Sequence, residues 1–228
     1  MVNAQKFLKE LINLRNKRKC YGEREKITSL GINSQILRKK GLLKVNEYLE
    51  NSLNLEGFIN LQNLDCSFNK ITNLILNDCS QLIRLDCSYN QLVNLGLEGL
   101  NQLEKIVCRG NYLIDLDYSV LDPKKITYLD VVDNNLSKRD LSIFSRFINL
   151  QKLLIGNDEK FNKINRNYFF GSLKSIESLT KLEGIHIGAT DIADVDYLKL
   201  GLFLSERINI TDDWQTINQE FTSELQQE

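Results

Sequence analysis

The chain has 228 residues, of which 42% are hydrophobic and 26% charged, with a formal net charge of −1. This composition excludes disorder as the default state, and the small net charge speaks against a chain held on nucleic acid by bulk electrostatics. No run of eighteen apolar residues occurs, and the start, MVNAQKFLKELINLRNKRK, lacks the apolar stretch of a secretory signal, so the expectation is a soluble, cytoplasmic protein without membrane segments.

In chain order, residues 3–16 read as a capping helix, with Asn3 as N-cap and Phe7, Leu8, Leu11, Ile12 and Leu14 toward one side. Basic runs at 15–19 and 38–40 read as solvated linkers around that cap, or as an anionic contact at this end. A short apolar stretch at Ile27–Ile32 is followed by loss of pattern until Leu53, Leu55 and Phe58.

From Leu61 the chain repeats itself. Calling Leu61 slot 1, apolar residues fall at slots 4, 6, 11, 14, 16 and 19, and Asn at slot 9, in units starting at 61, 82 and 103, and a fourth begins at 126 with Leu129, Val131, Asn134 and Leu136 in slots 4, 6, 9 and 11. Further units start at 150 and 182, where Asp158 and Thr190 occupy the Asn slot, so a different turn is expected there. The unit lengths are 21, 21, 23, 24 and 32 residues, and the longer units have room for short helices at SKRDLSIFSRF, with Ser137 and Asp140 in capping-box spacing, and at SLKSIESLTKL, with Leu173, Ile176 and Leu179 inward. Pro123 falls in the back turn of the third unit. A last strand is expected at 204–210. The segment 211–228 then carries Trp214, Ile217, Phe221 and Leu225 on one helical stripe, either a cap or a partner-binding helix.

Slots 4 and 6 are two apart, so in a strand both side chains face the same side. Slots 3, 5 and 7 face the other. One unit cannot bury its apolar face alone, whereas stacked units share a continuous core. The Asn at slot 9 sits where the strand turns and can satisfy backbone groups that would otherwise be buried unpaired. Self-similarity at this period therefore predicts a solenoid.

The pattern L-x-x-L-x-L-x-x-N-x-L at residues 61–71, 82–92, 103–113 and 126–136, with Cys or Val in place of one Leu, resembles the leucine-rich repeat family. The resemblance implies an α/β fold: a curved right-handed horseshoe with parallel strands on the concave face and helical caps at both ends. The expected division is residues 1–26 as N-terminal cap, 27–210 as solenoid, with strands near 27–32, 61–66, 82–87, 103–108, 126–131, 150–155 and 182–187, and 211–228 as C-terminal cap.

Five cysteines, Cys20, Cys66, Cys79, Cys87 and Cys108, are an odd number without an oxidising context, so no disulfide framework is expected. Cys66, Cys87 and Cys108 share slot 6, and a line of thiols one repeat apart does not converge on a metal ion; all three read as small core residues, as does Cys79. His186, the single histidine, stands at slot 5 with no serine or cysteine placed by sequence to pair with it, and reads as an exposed polar residue of the concave face. No phosphate loop, HExxH or CxxC occurs. The expectation is no enzyme, no cofactor and no metal.

The residues at slots 3, 5, 7 and 8 vary while the core slots hardly do. The candidate partner-binding residues are Asp65, Phe68, Arg84, Asp86, Tyr89, Lys105, Arg109, Tyr128 and Asp130; the opposed charges can also simply neutralise each other across strands. Leucine-rich repeat proteins act mostly in recruitment, inhibition or recognition, so the resemblance implies a protein–protein interaction module that binds on its concave face; a monomer is the expected state. The alternative is a regulatory or targeting subunit of a phosphatase or kinase, or the repeat part of a longer enzyme. Nucleic-acid binding through the basic runs is a weaker third reading.

Overall fold

A computed structural model describes residues 2–17, 24–157, 166–193 and 209–210. The six units form six coils, numbered here in chain order from Leu61. Each contributes a short strand to one parallel sheet: Asn63–Asp65, Arg84–Asp86, Lys105–Val107, Tyr128–Asp130, Lys152–Leu154 and Gly184–His186. Ser29–Gly31 adds a strand before the first coil and Asn209–Ile210 one after the sixth, so the sheet has eight strands among the described residues. Pairing runs strictly slot to slot: Leu30, Leu64, Leu85, Ile106, Leu129, Leu153 and Ile185 stand in one row.

That row and the slot-6 row of Cys66, Cys87, Cys108, Val131, Ile155 and Ile187 are buried in one core with the back-side leucines. The core runs from Ala4, Leu8 and Ile12 of helix α1 (Ala4–Lys17) to Ile192. Leu64 and Leu85 thus line the same interior, as stacking demands. Truncating one such side chain to Ala costs about 2–5 kcal/mol.

At the N-terminal end, α1 begins at Asn3, whose side chain accepts from Lys6 N at 2.9 Å. Gln5 holds the helix to the back of the solenoid by exchanging two hydrogen bonds with the Asn54 backbone. A three-stranded parallel sheet, Val2–Asn3, Leu49–Asn54 and Lys70–Ile75, forms that back surface. A second one, Arg139–Asp140, Phe169–Ser172 and Asp191–Ala193, lies behind the later coils.

Where short helices were expected on the back, the fourth and fifth coils have single 3-10 turns, Leu141–Phe144 and Leu173–Ile176, with Leu173, Ile176 and Leu179 buried. The cap of the first is Asp140, which accepts from Ser142 N at 2.8 Å, and not Ser137. Pattern is lost between Ile32 and Leu53 because a helix is inserted there: α2 (Ser34–Lys39), capped by Asn33, which accepts from Gln35 N and Ile36 N. The 38–40 run therefore closes a helix and is no linker. The 15–19 run extends past the described residues, and the stripe at 214–225 lies outside them.

Candidate interaction surface

Behind each strand the slot-9 asparagine ties two coils together. Asn90 is typical: its Oδ1 accepts from Ile71 N of the preceding coil at 2.9 Å. Its Nδ2 donates to Cys66 O of that coil and to Cys87 O and Ser88 O of its own. Asn69, Asn111 and Asn134 repeat the arrangement. In the fifth coil this role passes to Asn167, whose Oδ1 accepts from Leu136 N and whose Nδ2 reaches Val131 O and Ile155 O. Asn157 and Asn167 bond to each other, Asn167 N to Asn157 Oδ1 at 2.7 Å and Asn157 Nδ2 to Asn167 O at 3.2 Å. In the sixth coil Thr190 donates to Ile187 O instead.

One step earlier, the slot-5 aspartates close the exit of the strand. Asp65 Oδ1 accepts from Ser67 N at 3.0 Å and Ser67 Oγ at 2.6 Å. Asp86 does the same with Ser88, and Asp130 accepts from Val132 N. These are Asx turns, in which the carboxylate replaces a backbone acceptor. Asp65 and Asp86 stand side by side in the ladder. Burial raises Asp65, and burial with the adjacent Asp65 pushes Asp86 up to about 7 against the Ser88 bonds that favour its ionised form.

The chain then passes through slot 8 in the left-handed region: Phe68 at φ 56°, Tyr89 at 52°, Gly110 at 64°, Asp133 at 53° and Ala189 at 52°. This conformation crowds a β-carbon against the backbone, so a bulky side chain there is a true outlier. Backbone bonds hold it: Phe68 N donates to Ser88 O, Tyr89 N to Arg109 O and Gly110 N to Val132 O. The two aromatic rings stack at 4.7 Å between centroids and 22° between planes, half-buried and reaching solvent. Tyr89 lies over Gly110, where a β-carbon would come within 2.7 Å of its ring.

In the third to fifth coils slots 5 and 7 of the outer face are closed, while slot 3 stays half-buried at Lys105 and Lys152. Val107, Tyr128, Val132 and Leu154 form an apolar cluster of their own, separate from the core. Next to it Arg109, 1% exposed, places Nε 3.1 Å from Asp130 Oδ2, itself fully buried. Burial works against the Arg109 charge, but Asp130 and a hydrogen bond with the Tyr89 phenol more than offset it.

Of the nine candidate contact residues, Phe68, Arg84, Asp86, Tyr89 and Lys105 are half-buried and gather on the first three coils. Asp65, Arg109, Tyr128 and Asp130 point to the outer face as expected but are buried, because each neighbouring coil places a side chain or turn against them. His186 is likewise buried, its ring against Gly156 and Gly188, where a β-carbon would strike it. The reading of His186 as an exposed residue is thereby corrected. The supporting roles of Ser67, Ser88 and Asn167 were missed; the twice-written Asp-Cys-Ser was the signal for the serines, whereas Asn167 is displaced from its slot.

Cys66, Cys79, Cys87 and Cys108 are buried and free. Burial pushes their thiols up, Cys79 to about 12, which leaves them without nucleophilic character at neutral pH. Among the described residues no cluster of His, Cys, Asp and Glu is suited to a metal ion, and no helix is long and apolar enough to cross a membrane.

A parallel sheet of one short strand per coil, an asparagine ladder and a shared leucine core define the leucine-rich-repeat fold, and the chain has that fold. Among solved structures it is similar to the internalin InlF of Listeria monocytogenes, at 19% identity and a TM-score of 0.53 over 92% of this chain and 69% of the other. It is also similar to the functional domain of InlJ of Listeria monocytogenes, described as including a cysteine ladder, at 22% identity and 0.41 over 66% and 46%. A leucine-rich-repeat protein of Leptospira interrogans matches at 19% and 0.49 over 70% and 48%. The chain thus spans about half the length of two of these three. No family model matches the sequence, and no curated protein does.

Proposed function

We propose that the chain is a non-enzymatic module that binds a protein partner on the outer face of its sheet, at the first three coils, through Phe68, Tyr89, Arg84, Asp86 and Lys105. The observation that carries this reading is the strained aromatic pair. At slot 8 a left-handed backbone favours Gly or Asn, and Gly110 shows that the site accepts it. Placing Phe and Tyr there costs about 1–2 kcal/mol each, while their stacking returns only about 0.5–1.5 kcal/mol. The Tyr89 phenol also braces the buried Arg109; beyond that bond folding gives little reason for the pair, and half-exposed aromatics at a rigid position suit a contact hot spot.

Around the pair, charges of both signs select the partner. Arg84 and Lys105 occupy slot 3 and Asp86 slot 5. Coils locked by the asparagine ladder lose little entropy on binding. Beneath them Asp65, Arg109, Tyr128 and Asp130 act as supports that hold the face in shape.

The test is affinity capture on the immobilised chain, comparing the native sequence with a Phe68→Gly, Lys105→Glu variant of unchanged melting temperature. A partner captured by the first and lost by the second supports the reading. A partner retained by the variant places the contact elsewhere.

A further inference from the structure

Beyond the sheet, the turn that follows α2 presents a second kind of surface. Residues 38–46 read RKKGLLKVN. Helix α2 ends in a Schellman turn: Gly41, at φ 69°, donates to Arg38 O, and Leu42 N donates to Leu37 O at 2.9 Å. The loop is closed on its other side by Lys44 N donating to the Glu47 carboxylate at 2.8 Å and Glu47 N to Lys44 O at 3.0 Å, with Asn46 also left-handed. Leu43 is buried in the core and pins the loop.

This rigid turn points its other two apolar side chains outward: Leu42 is 45% exposed and Val45 83%. Lys39, Lys40 and Lys44 are exposed around them, and among the described residues no carboxylate pairs with any of the three. Arg38 lies behind, its guanidinium 4.7 Å from the Tyr48 ring centroid and bonded to Glu47 O, and Lys70 approaches the same ring at 5.0 Å. The result is a small apolar knob flanked along the chain by three exposed lysines, with the Glu47 carboxylate held on Lys44 N.

We infer that this loop seats the protein on an anionic lipid surface, with Leu42 and Val45 entering the interface and Lys39, Lys40 and Lys44 meeting the headgroups. Two protruding side chains offer far less apolar area than the roughly 800 Å² per partner of a stable protein interface. They need no complementary pocket in a bilayer, where apolar insertion and cationic attraction add. Each lysine near such a surface strengthens binding about fivefold. This is peripheral attachment and involves no membrane-crossing element.

The test is co-sedimentation of the full chain with vesicles of phosphatidylcholine alone and with vesicles of phosphatidylcholine and phosphatidylserine in equal amounts. Binding is expected to the mixed vesicles and to weaken with salt. Reversing the three charges, Lys39→Glu with Lys40→Glu and Lys44→Glu, should weaken binding by well over about a hundredfold, the loss expected from neutralising them alone, and Leu42→Ser with Val45→Ser should weaken it about tenfold or more. These side chains are exposed, so the variants stay folded, which melting curves check before vesicles are added. Val45→Trp should show a blue shift of its added emission on the mixed vesicles. Absence of binding by the native chain, undiminished binding by the charge-reversed variant, or unshifted Val45→Trp emission would each overturn the proposal. So would an acidic protein captured through this loop without any attachment to vesicles.

Discussion

In the first two coils, slot 5 holds Asp65 and Asp86, each turned back on a serine two residues later, and slot 8 brings Phe68 and Tyr89 to the solvent. In the third to fifth coils, slots 5 and 7 hold Val107, Arg109, Asp130, Val132 and Leu154, and all five are buried with Tyr128. The backbone positions are equivalent and the side chains point the same way. The difference teaches that a slot sets direction only, while exposure depends on what the adjacent coils place beside it. Asp130 makes the same Asx turn as Asp86 yet is fully buried, because valine, leucine and tyrosine on successive rungs bury one another and what stands beside them.

If the two halves share a frame but differ in face, breaking the frame should have the largest effect. Asn111→Ala orphans the buried Leu92 N and takes one of two asparagine donors from the carbonyls of Cys87 and Cys108, which Asn90 and Asn134 still serve. At about 1–3 kcal/mol for the orphaned donor and about 0.5–1.5 kcal/mol for each bond lost by the two carbonyls, the expected loss is roughly 2–6 kcal/mol, read by urea unfolding. A loss below about 1 kcal/mol would mean the ladder is ornamental.

Next comes the closed half. Arg109→Ala leaves Asp130 buried and without its cation, with an expected cost of about 3–5 kcal/mol. Replacing both, Arg109→Leu with Asp130→Asn, should recover much of it, since Asn keeps the acceptor for Val132 N. No recovery in that double variant would show that the pair is not what makes the single change costly.

The open half should reveal itself through pH. Asp86 is raised from 3.8 to about 7 in the folded chain, so between these values the native state binds more protons than the unfolded one. Stability then falls as pH rises through that window. Asp86→Asn, which keeps the acceptor for Ser88 N, should flatten this slope and raise the melting temperature at pH 8. An unchanged slope would refute the coupling between the two aspartates.

The smallest expected change is Phe68→Gly. Relief of strain and loss of stacking nearly cancel, so stability should move by less than about 1 kcal/mol. A large destabilisation would make the aromatic pair a structural device and remove the main support for a contact surface.

Much of this was legible beforehand. The period of 21 led to the slot-to-slot register, and the paired apolar slots led to the shared core, because strand geometry ties spacing to side. Asn69, Asn90, Asn111 and Asn134 were readable as turn residues for the same reason. The helix at 34–39 was not, since six residues carry too little periodicity to stand out from a lost repeat. Nor was the burial of Asp65, Arg109, Tyr128 and Asp130, which depends on residues 21 or more positions away.

The amino-acid order by itself thus determined a stack of coils, its core and its hydrogen-bonding asparagines, all set by contacts that recur at one period. Only the tertiary structure decided which outward residues meet solvent, that Asn167 replaces the asparagine missing from its slot, and that Leu42 and Val45 project among lysines. Those outcomes arise from non-repeating contacts between coils, where side-chain volume and the closure of inserted turns compete, and no local pattern encodes the winner.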